Sequence, residues 1–207
     1  MSEWREVFSA VAEFFLYAVI AVFAQNAVFT RALGVSRLVH LVDDDNVSSA
    51  TFAALLTAVQ LVGAPLGYFA NVYFLRNFEY RMFVRPLVFV LCSAVAFFIV
   101  LLLVLVVFRT KGAPRIIPVL PMATFNCCIL GTLMITTTQS FTLLQTMGFA
   151  LGTSIGYALA LVVVTEGQRR LQNPNIPAPF RGLPATLLYI GIVALATYGF
   201  TGHMSTF

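Results

Sequence analysis

The chain has little charge, and this scarcity excludes an ordinary water-soluble domain. Of its 207 residues, 10% are charged and 60% are hydrophobic, whereas soluble domains carry about 25% charged residues. A soluble domain of this size cannot bury so much apolar surface, so the composition predicts that the lipid bilayer is the solvent. The net charge of +4 then reports mainly on cytoplasmic loops, where Lys and Arg accumulate in membrane proteins.

Cysteine is also scarce, and its three copies do not suit a disulfide framework. Cys92, Cys127 and Cys128 all lie inside apolar runs, whereas a disulfide framework needs paired thiols in exported segments. The sequence lacks a P-loop, a dinucleotide-binding glycine motif followed by a soluble helix, a nucleophile elbow and a haem-attachment motif. We therefore expect no self-contained catalytic site, so that the chain is not an enzyme on its own.

Long apolar runs dominate what is present. A bilayer core of about 30 Å needs about 20 apolar residues per helix, and six segments have about this length. We predict an all-α integral membrane protein that forms a single membrane domain over residues 1–207. The predicted spans are Val7–Phe29, Ala50–Leu75, Val84–Phe108, Ile116–Ile135, Phe141–Thr165 and Leu183–Thr201.

Six spans divide into two groups of three that begin on opposite sides of the membrane. Such halves, over about residues 1–110 and 111–207, would be inverted structural repeats. The first span ends in "QNAVFTRALG" and the fourth contains "FNCCILG", so both place an asparagine shortly before Leu-Gly. In the fourth span Pro118 and Pro121 also remove backbone donors. We therefore predict that the first and fourth helices are interrupted.

Basic residues are distributed unevenly between the predicted loops. The loops after the first, third and fifth spans contain eight Lys and Arg residues, and the opposite side contains four. The richer side is normally cytoplasmic. We therefore predict that both termini lie on the outer side of the inner (plasma) membrane.

Small and polar residues within the spans predict helix–helix contacts. Gly148, Gly152 and Gly156 recur at intervals of four, a spacing that lets two membrane helices approach closely. Gln60 lies deep in the second span, where we expect it to hydrogen-bond a partner helix or to line a cavity. Glu13 lies in the first span, and an ionisable group there is a candidate for ion or proton handling. The alternative is that Glu13 stays in the headgroup region.

The two adjacent thiols of the fourth span admit two interpretations. On a regular helix Cys127 and Cys128 would point about 100° apart, so both cannot easily face one small metal centre. Packing between helices is one interpretation, since small thiols pack well there. Ligation of an iron–sulfur cluster is the other, but it normally needs four donors.

Several stretches together resemble the RnfA/NqrE family of membrane subunits. These stretches are "NAVFTRALGVS" (residues 26–36), "TFNCCILG" (124–131), "GYALALVVV" (156–164) and "IPAPFRGLPATLLYIGIVALATYGFTG" (176–202), and the resemblance spans nearly the whole chain. It implies a subunit of an Rnf-type ion-translocating ferredoxin:NAD oxidoreductase, which helps to transfer electrons across the membrane coupled to Na⁺ or H⁺ transport. It also implies pairing with an RnfE/NqrD-like membrane protein and with the other subunits of the complex.

The resemblance further implies a [2Fe–2S] cluster shared between two such subunits, each of which supplies one thiolate from each of two half-helices. Cys127 matches the family's cysteine in the fourth helix, and Ser36 occupies the position of the family's other cysteine. Cys128 is a candidate substitute for that missing thiol. The residues that would shape the half-helix turns are Asn26, Leu33, Gly34, Asn126 and Gly131.

Two other functions fit the same residues. Inverted repeats with broken helices and polar groups at the membrane midplane are also typical of small-solute and ion transporters, and the serine at position 36 favours that class. The second alternative is a purely structural subunit that holds redox partners together.

Overall fold

Helices are the only regular secondary structure in the described part of the chain. In the computed structural model of the protein, the described residues are 2–43, 48–77, 80–108, 116–171, 177, 180 and 182–201, and none of them forms a strand. The helices are α1 (Ser2–Val22), α2 (Val35–Asp43), α3 (Ser49–Phe69), α4 (Arg81–Phe108), α5 (Val119–Thr124), α6 (Cys127–Thr138), α7 (Leu143–Leu171) and α8 (Leu183–Thr201). α3 continues into a π-helical segment (Ala70–Phe74) and a 3₁₀ turn (Leu75–Asn77). The all-α prediction is confirmed for these residues.

Four helical stretches are long and apolar enough to cross a bilayer. They are Ser49–Phe74, Arg81–Val107, Val119–Thr138 and Leu143–Leu171, and α8 adds a shorter apolar stretch at Leu183–Gly199. α1 has 21 residues, but charged residues in its N-terminal half lower its hydropathy. These stretches identify the chain as a helical membrane protein.

α3 and α7 form the centre of the fold. They pack against each other, and the rings of Phe52 and Tyr157 lie 5.9 Å apart at their contact. α1 packs along α7, α5 and α6 pack along α3, α4 contacts α3, α5 and α6, and α8 contacts α7. The two interrupted helices therefore each lie against the central long helix of the other half of the chain.

Three glycines of α7 allow α1 to approach closely. A Cβ built at position 152 would lie 2.7 Å from the Ala18 Cα, so a larger residue there would push the helices apart. The three contacts, in order, are Gly148 with Phe14, Gly152 with Ala18 and Gly156 with Val22. The small-residue packing predicted for this span is confirmed, and because the contacts advance in the same direction, α1 and α7 run parallel.

The first helix ends earlier than its predicted span. α1 stops at Val22, and residues 23–34 form turns before α2 begins at Val35, so the predicted end at Phe29 is wrong. Hydropathy continues past Val22, but a buried asparagine competes with the helix for backbone hydrogen bonds.

The fourth helix is interrupted between α5 and α6, at Phe125 and Asn126. The preceding prolines do not break it, contrary to our expectation. Pro118 precedes the first residue of α5 and Pro121 lies in its first turn, where the missing N–H would have no partner in any case. The interruption must therefore come from the residues that follow α5.

Candidate functional site

Asn26 organises the interruption after α1. Its Oδ1 accepts hydrogen bonds from the backbone N–H groups of Val28 and Phe29, at 2.9 and 3.1 Å. Its Nδ2 donates to the carbonyl oxygens of Val22, at 2.8 Å, and Gly156, at 3.1 Å. The side chain is buried. It thereby satisfies backbone groups that an interrupted helix would otherwise leave unpaired in lipid.

The residues after Asn26 form one helical turn that ends in left-handed backbone. The N–H of Thr30 donates to the Asn26 carbonyl at 3.1 Å, and the N–H of Ala32 donates to the Val28 carbonyl at 3.0 Å. Ala32 has φ +53 and Gly34 has φ +76. Glycine adopts this conformation freely, whereas it costs alanine about 1 kcal/mol. The chain then enters α2.

Asn126 makes the second interruption by capping α6. Its Oδ1 accepts a hydrogen bond from the Cys128 N–H at 3.0 Å, and its φ of −101° and ψ of 137° are extended. This is the geometry of a helix N-cap. The N–H of Phe125 donates to the Pro121 carbonyl at 3.0 Å and closes α5. The same residue type therefore marks both interruptions.

The two interruptions contact each other. A Cβ at Gly34 would lie 2.6 Å from Asn126 Oδ1 and 2.7 Å from Tyr157 Cε2, and a Cβ at Gly131 would meet the Leu33 side chain. The Tyr157 hydroxyl donates to the Gly34 carbonyl at 2.9 Å. The structure thus brings four of the five predicted turn residues together, and the missing side chains of the two glycines permit the contact.

Tyr157 is the functional-site residue that our sequence reasoning missed. Its side chain is fully buried, and its neighbour Gly156 accepts the hydrogen bond from Asn26. One short segment of α7 therefore holds both interruptions. A signal was present in the sequence, because a tyrosine hydroxyl within an apolar span needs a hydrogen-bond partner.

The adjacent cysteines lie in different surroundings. Cys127 is the first residue of α6 and is exposed on the surface of the chain, whereas Cys128 is buried in the hydrophobic core. Ser36, in the first turn of α2, is also exposed. Cys127 follows Asn126 and Ser36 lies two residues after Gly34, so both are next to the contact between the interruptions. Both also occupy helix N-termini, whose positive end favours an anionic group.

A second polar contact links α3 to α6. Gln60 Nε2 donates to Thr132 Oγ1 at 2.9 Å, and the Thr132 hydroxyl donates to the Cys128 carbonyl at 2.8 Å. Gln60 is buried, and its predicted hydrogen bond to a partner helix is confirmed. This contact fixes the part of α6 that begins with Cys127.

Metal-binding side chains are sparse in this chain. Among the residues that the structure describes, no three His, Cys, Asp or Glu side chains form a group that could hold a metal ion. The exposed thiol and hydroxyl at the interruptions are two donor atoms, whereas an iron–sulfur cluster needs four. The chain therefore fits such a cluster only as one half of a site completed by a second polypeptide.

Glu13 lies in α1, about 14 Å along the helix axis from the C-terminal end of that helix, and is therefore away from the interruptions. Gln145 Nε2 donates to its Oε2 at 3.1 Å, and Gln145 Oε1 accepts a hydrogen bond from the Thr142 N–H at 3.0 Å. The Glu13 side chain is half-buried and forms no ion pair within the described part of the chain. Its carboxylate is therefore held by α7 without a cationic partner.

Comparisons with known proteins agree with this architecture. The family model described as "Rnf-Nqr subunit, membrane protein" matches residues 14–204. Relatives from Shewanella baltica and Shewanella putrefaciens are each 28% identical over 192 residues, which cover 92% of this chain and 97% of the relative. A relative from Shewanella oneidensis is 27% identical over 194 residues, covering 93% of this chain and 98% of the relative. All three are named as the same subunit of an ion-translocating oxidoreductase complex.

Proposed function

The chain belongs to the Rnf-Nqr family of membrane subunits, and on that premise we propose that it acts in ion-coupled electron transport. It is then an integral subunit of an Rnf-type complex that helps to transfer electrons across the membrane while Na⁺ or H⁺ is transported. It works with an RnfE/NqrD-like membrane protein and the other subunits of that complex. The names of relatives that match nearly its whole length support this assignment.

We further propose six spans in two inverted repeats, residues 1–110 and 111–207, in the inner membrane with both termini outside. α1 and α7 run parallel, and α3 and α4 run antiparallel because Gly63 faces Ala96 and Leu66 faces Cys92. These directions agree with α7 as the fifth span of the chain. The reciprocal packing of the interrupted helices on α7 and α3 supports the repeat.

One observation carries the proposed redox role. The Cys127 thiol is exposed at the start of α6, beside the contact between the two interruptions. We assign Cys127 as a ligand of a [2Fe–2S] cluster shared with the partner subunit, with Ser36 in this chain's second ligand position. Such a cluster, when bound, accepts and donates single electrons. Cys128 is not assigned as a ligand, because its side chain lies in the core.

The surrounding residues hold Cys127 in position. Asn126 caps α6 and so fixes the first turn of the helix that begins with the thiol. The Gln60–Thr132 contact ties that helix to α3. The hydrogen bond from Tyr157 to Gly34 holds the chain just before Ser36 against the same place. The exposed thiol of Cys127 and hydroxyl of Ser36 are thereby held at two neighbouring helix N-termini.

The proposal is tested by co-purifying the full chain with its RnfE/NqrD-like partner. Iron analysis and electron paramagnetic resonance of the reduced pair should give about two irons and one cluster signal per pair. Cys127→Ala should remove both. Cys128→Ala is the matched control on the neighbouring buried thiol and should retain them. Ser36→Cys should retain the iron and change the signal, because a thiolate is a softer ligand than an alkoxide.

Three outcomes would contradict the proposal. Equal iron in the wild-type and Cys127→Ala pairs would remove the ligand assignment. An iron-free pair that carries ions or solutes across proteoliposome membranes would favour the transporter alternative. An iron-free chain that is required only for assembly of the complex would be a structural subunit.

We also propose that Glu13 handles a proton or cation during transport. It is a half-buried carboxylate within α1, held by Gln145 rather than by a cation. Glu13→Gln should lower ion transport by the reconstituted complex without changing its iron content. Glu6→Gln, at an exposed position of the same helix, is the control, and an equal loss in both variants would indicate a surface-charge effect instead.

A further inference from the structure

A polar cavity lies where α3 ends and α4 begins. Its volume is about 380 Å³, and Arg76, Arg81 and Arg85 line it. On the α3 side it is bounded by the π-helical segment Ala70–Phe74 and its neighbours, and π-helical turns are frequent at functional sites. None of the residues at the two helix interruptions lines this cavity. It is therefore a separate site.

Within the described residues, no acidic side chain balances the positive charge of this cavity. No carboxylate occurs among the described residues that line it, and the first turn of α4 contains no acidic residue. That turn carries Arg81, and a helix N-terminus is itself positive. Arg85 Nε is buried with no hydrogen-bond partner within the described ranges, and a buried charged donor without a partner is costly. An anion bound in the cavity would offset this cost.

Four neutral donors line the cavity beside the arginines, together with the apolar Val72, Leu75 and Phe141. Tyr68 and Asn71 come from α3 and its π-helical continuation, and Thr137 and Ser140 come from the C-terminal end of α6 and the turn after it. Hydroxyl, amide and guanidinium groups together form the donor set that suits phosphate oxygens, which arginine binds in bidentate fashion. The chemistry of the lining therefore favours a phosphate group over a monatomic anion.

We propose that this cavity binds a phosphate group, carried either by an anionic phospholipid or by inorganic phosphate. Basic pockets between membrane helices are a recurring means of holding lipid headgroups. Tyr80 and Phe83 lie exposed at the start of α4, next to Arg81, and offer apolar surface to acyl chains. These neighbours favour the lipid as the source. The proposal does not depend on the electron-transport role.

The test uses the full chain in neutral detergent micelles. It is titrated with mixed micelles that contain phosphatidylglycerol or phosphatidylcholine, and separately with inorganic phosphate. Binding is followed by the midpoint of thermal unfolding and by lipid retained in native mass spectrometry. We expect phosphatidylglycerol to bind at least about tenfold more tightly than phosphatidylcholine.

The decisive variant combines Arg81→Gln with Arg85→Gln and should weaken phosphatidylglycerol binding by at least about tenfold. Arg5→Gln with Arg169→Gln removes the same charge from exposed positions outside the cavity and should bind like the wild type. Thr137→Val retains every charge, and its binding is measured instead if the double arginine variant does not fold. It should weaken binding about threefold, since one neutral hydrogen bond is lost.

The outcomes separate the two sources of phosphate from failure of the proposal. Binding of phosphatidylglycerol but not of inorganic phosphate identifies the lipid, and binding of both identifies a general phosphate site. Equal binding of the two lipids together with no binding of inorganic phosphate, or equal losses in the two double variants, would overturn the proposal. Glu79 lies outside the described residues, between Arg76 and Arg81 in the sequence. Anion binding that appears only in Glu79→Gln would also overturn it.

Discussion

The two helix interruptions use the same side chain in different ways. The first covers residues 23–34, and Asn26 makes four hydrogen bonds there, one of them to α7. The second consists of Phe125 and Asn126, where the Asn126 side chain accepts a hydrogen bond from the Cys128 N–H. An asparagine suits both places because its side-chain oxygen accepts hydrogen bonds from backbone N–H groups where the backbone ladder stops.

This difference suggests separate contributions of the two interruptions, one to the stability of the fold and the other to the proposed cluster site. The long first interruption needs a network to satisfy its backbone groups, and its asparagine is followed by Ala27 and Val28. At the short second interruption, α6 begins immediately after its cap, Asn126, and its first residue is the exposed Cys127. We therefore expect the first interruption to contribute more of the folding free energy and the second to position the cysteine ligand.

The largest effect on stability should come from Gly34→Ala, in the first interruption. The new methyl group would meet Asn126 and the buried Tyr157 ring at a positive φ, so backbone strain and overpacking together should cost about 4 kcal/mol. Equilibrium unfolding of the full chain in mixed detergent micelles measures this loss. Gly131→Ala is the matched control and should cost about 1 kcal/mol, because the Leu33 side chain that it meets can move. Equal losses would contradict the comparison.

The asparagines themselves provide the next test. Asn26→Ala should cost about 3 kcal/mol, since four hydrogen bonds are lost, three of them buried, whereas Asn126→Ala should cost about 1 kcal/mol as the loss of a helix cap. Iron content of the pair formed with the partner subunit should follow the opposite order, with the greater loss in Asn126→Ala. If the less stable variant also loses more iron, the two interruptions do not have separate roles.

A smaller effect is expected from Tyr157→Phe. It removes the hydroxyl that donates to the Gly34 carbonyl at 2.9 Å and should cost about 1 kcal/mol in the same unfolding measurement. Tyr189→Phe is the control on a neighbouring helix, where the hydroxyl lies 3.4 Å from the Val163 carbonyl. We expect a loss below about 0.5 kcal/mol there. A larger loss of stability in Tyr189→Phe than in Tyr157→Phe would contradict a particular role for the hydrogen bond from Tyr157.

The smallest effect should be a gain in stability from Ala32→Gly. Ala32 is exposed and has φ +53, so glycine should relieve strain and raise the free energy of unfolding by about 0.5 kcal/mol. Ser140→Gly, at φ +55 after α6, should give a similar gain because this strain is local. A loss of stability in Ala32→Gly alone would mean that the methyl group supports the first interruption.

Features with a local cause could be predicted from the sequence. The glycine spacing of α7 and the hydrogen bonding of Gln60 were expected and are present, because small residues and buried amides have few alternatives in lipid. The prolines of α5 were misleading, since their effect depends on whether a helix starts or continues there. The role of Tyr157 was missed because its partner, the Gly34 carbonyl, carries no side-chain signal.

The sequence by itself determined that the chain is a helical membrane protein and where asparagines and glycines shape its helices. Hydropathy, residue spacing and capping act within one or two turns, so a linear pattern is enough to read them. Only the tertiary structure decided that Gly34 meets Asn126, that Cys127 rather than Cys128 is exposed, and that the three arginines line one cavity. These facts depend on which helices pack together and on the rotation of each helix about its axis, which contacts between distant parts of the chain set.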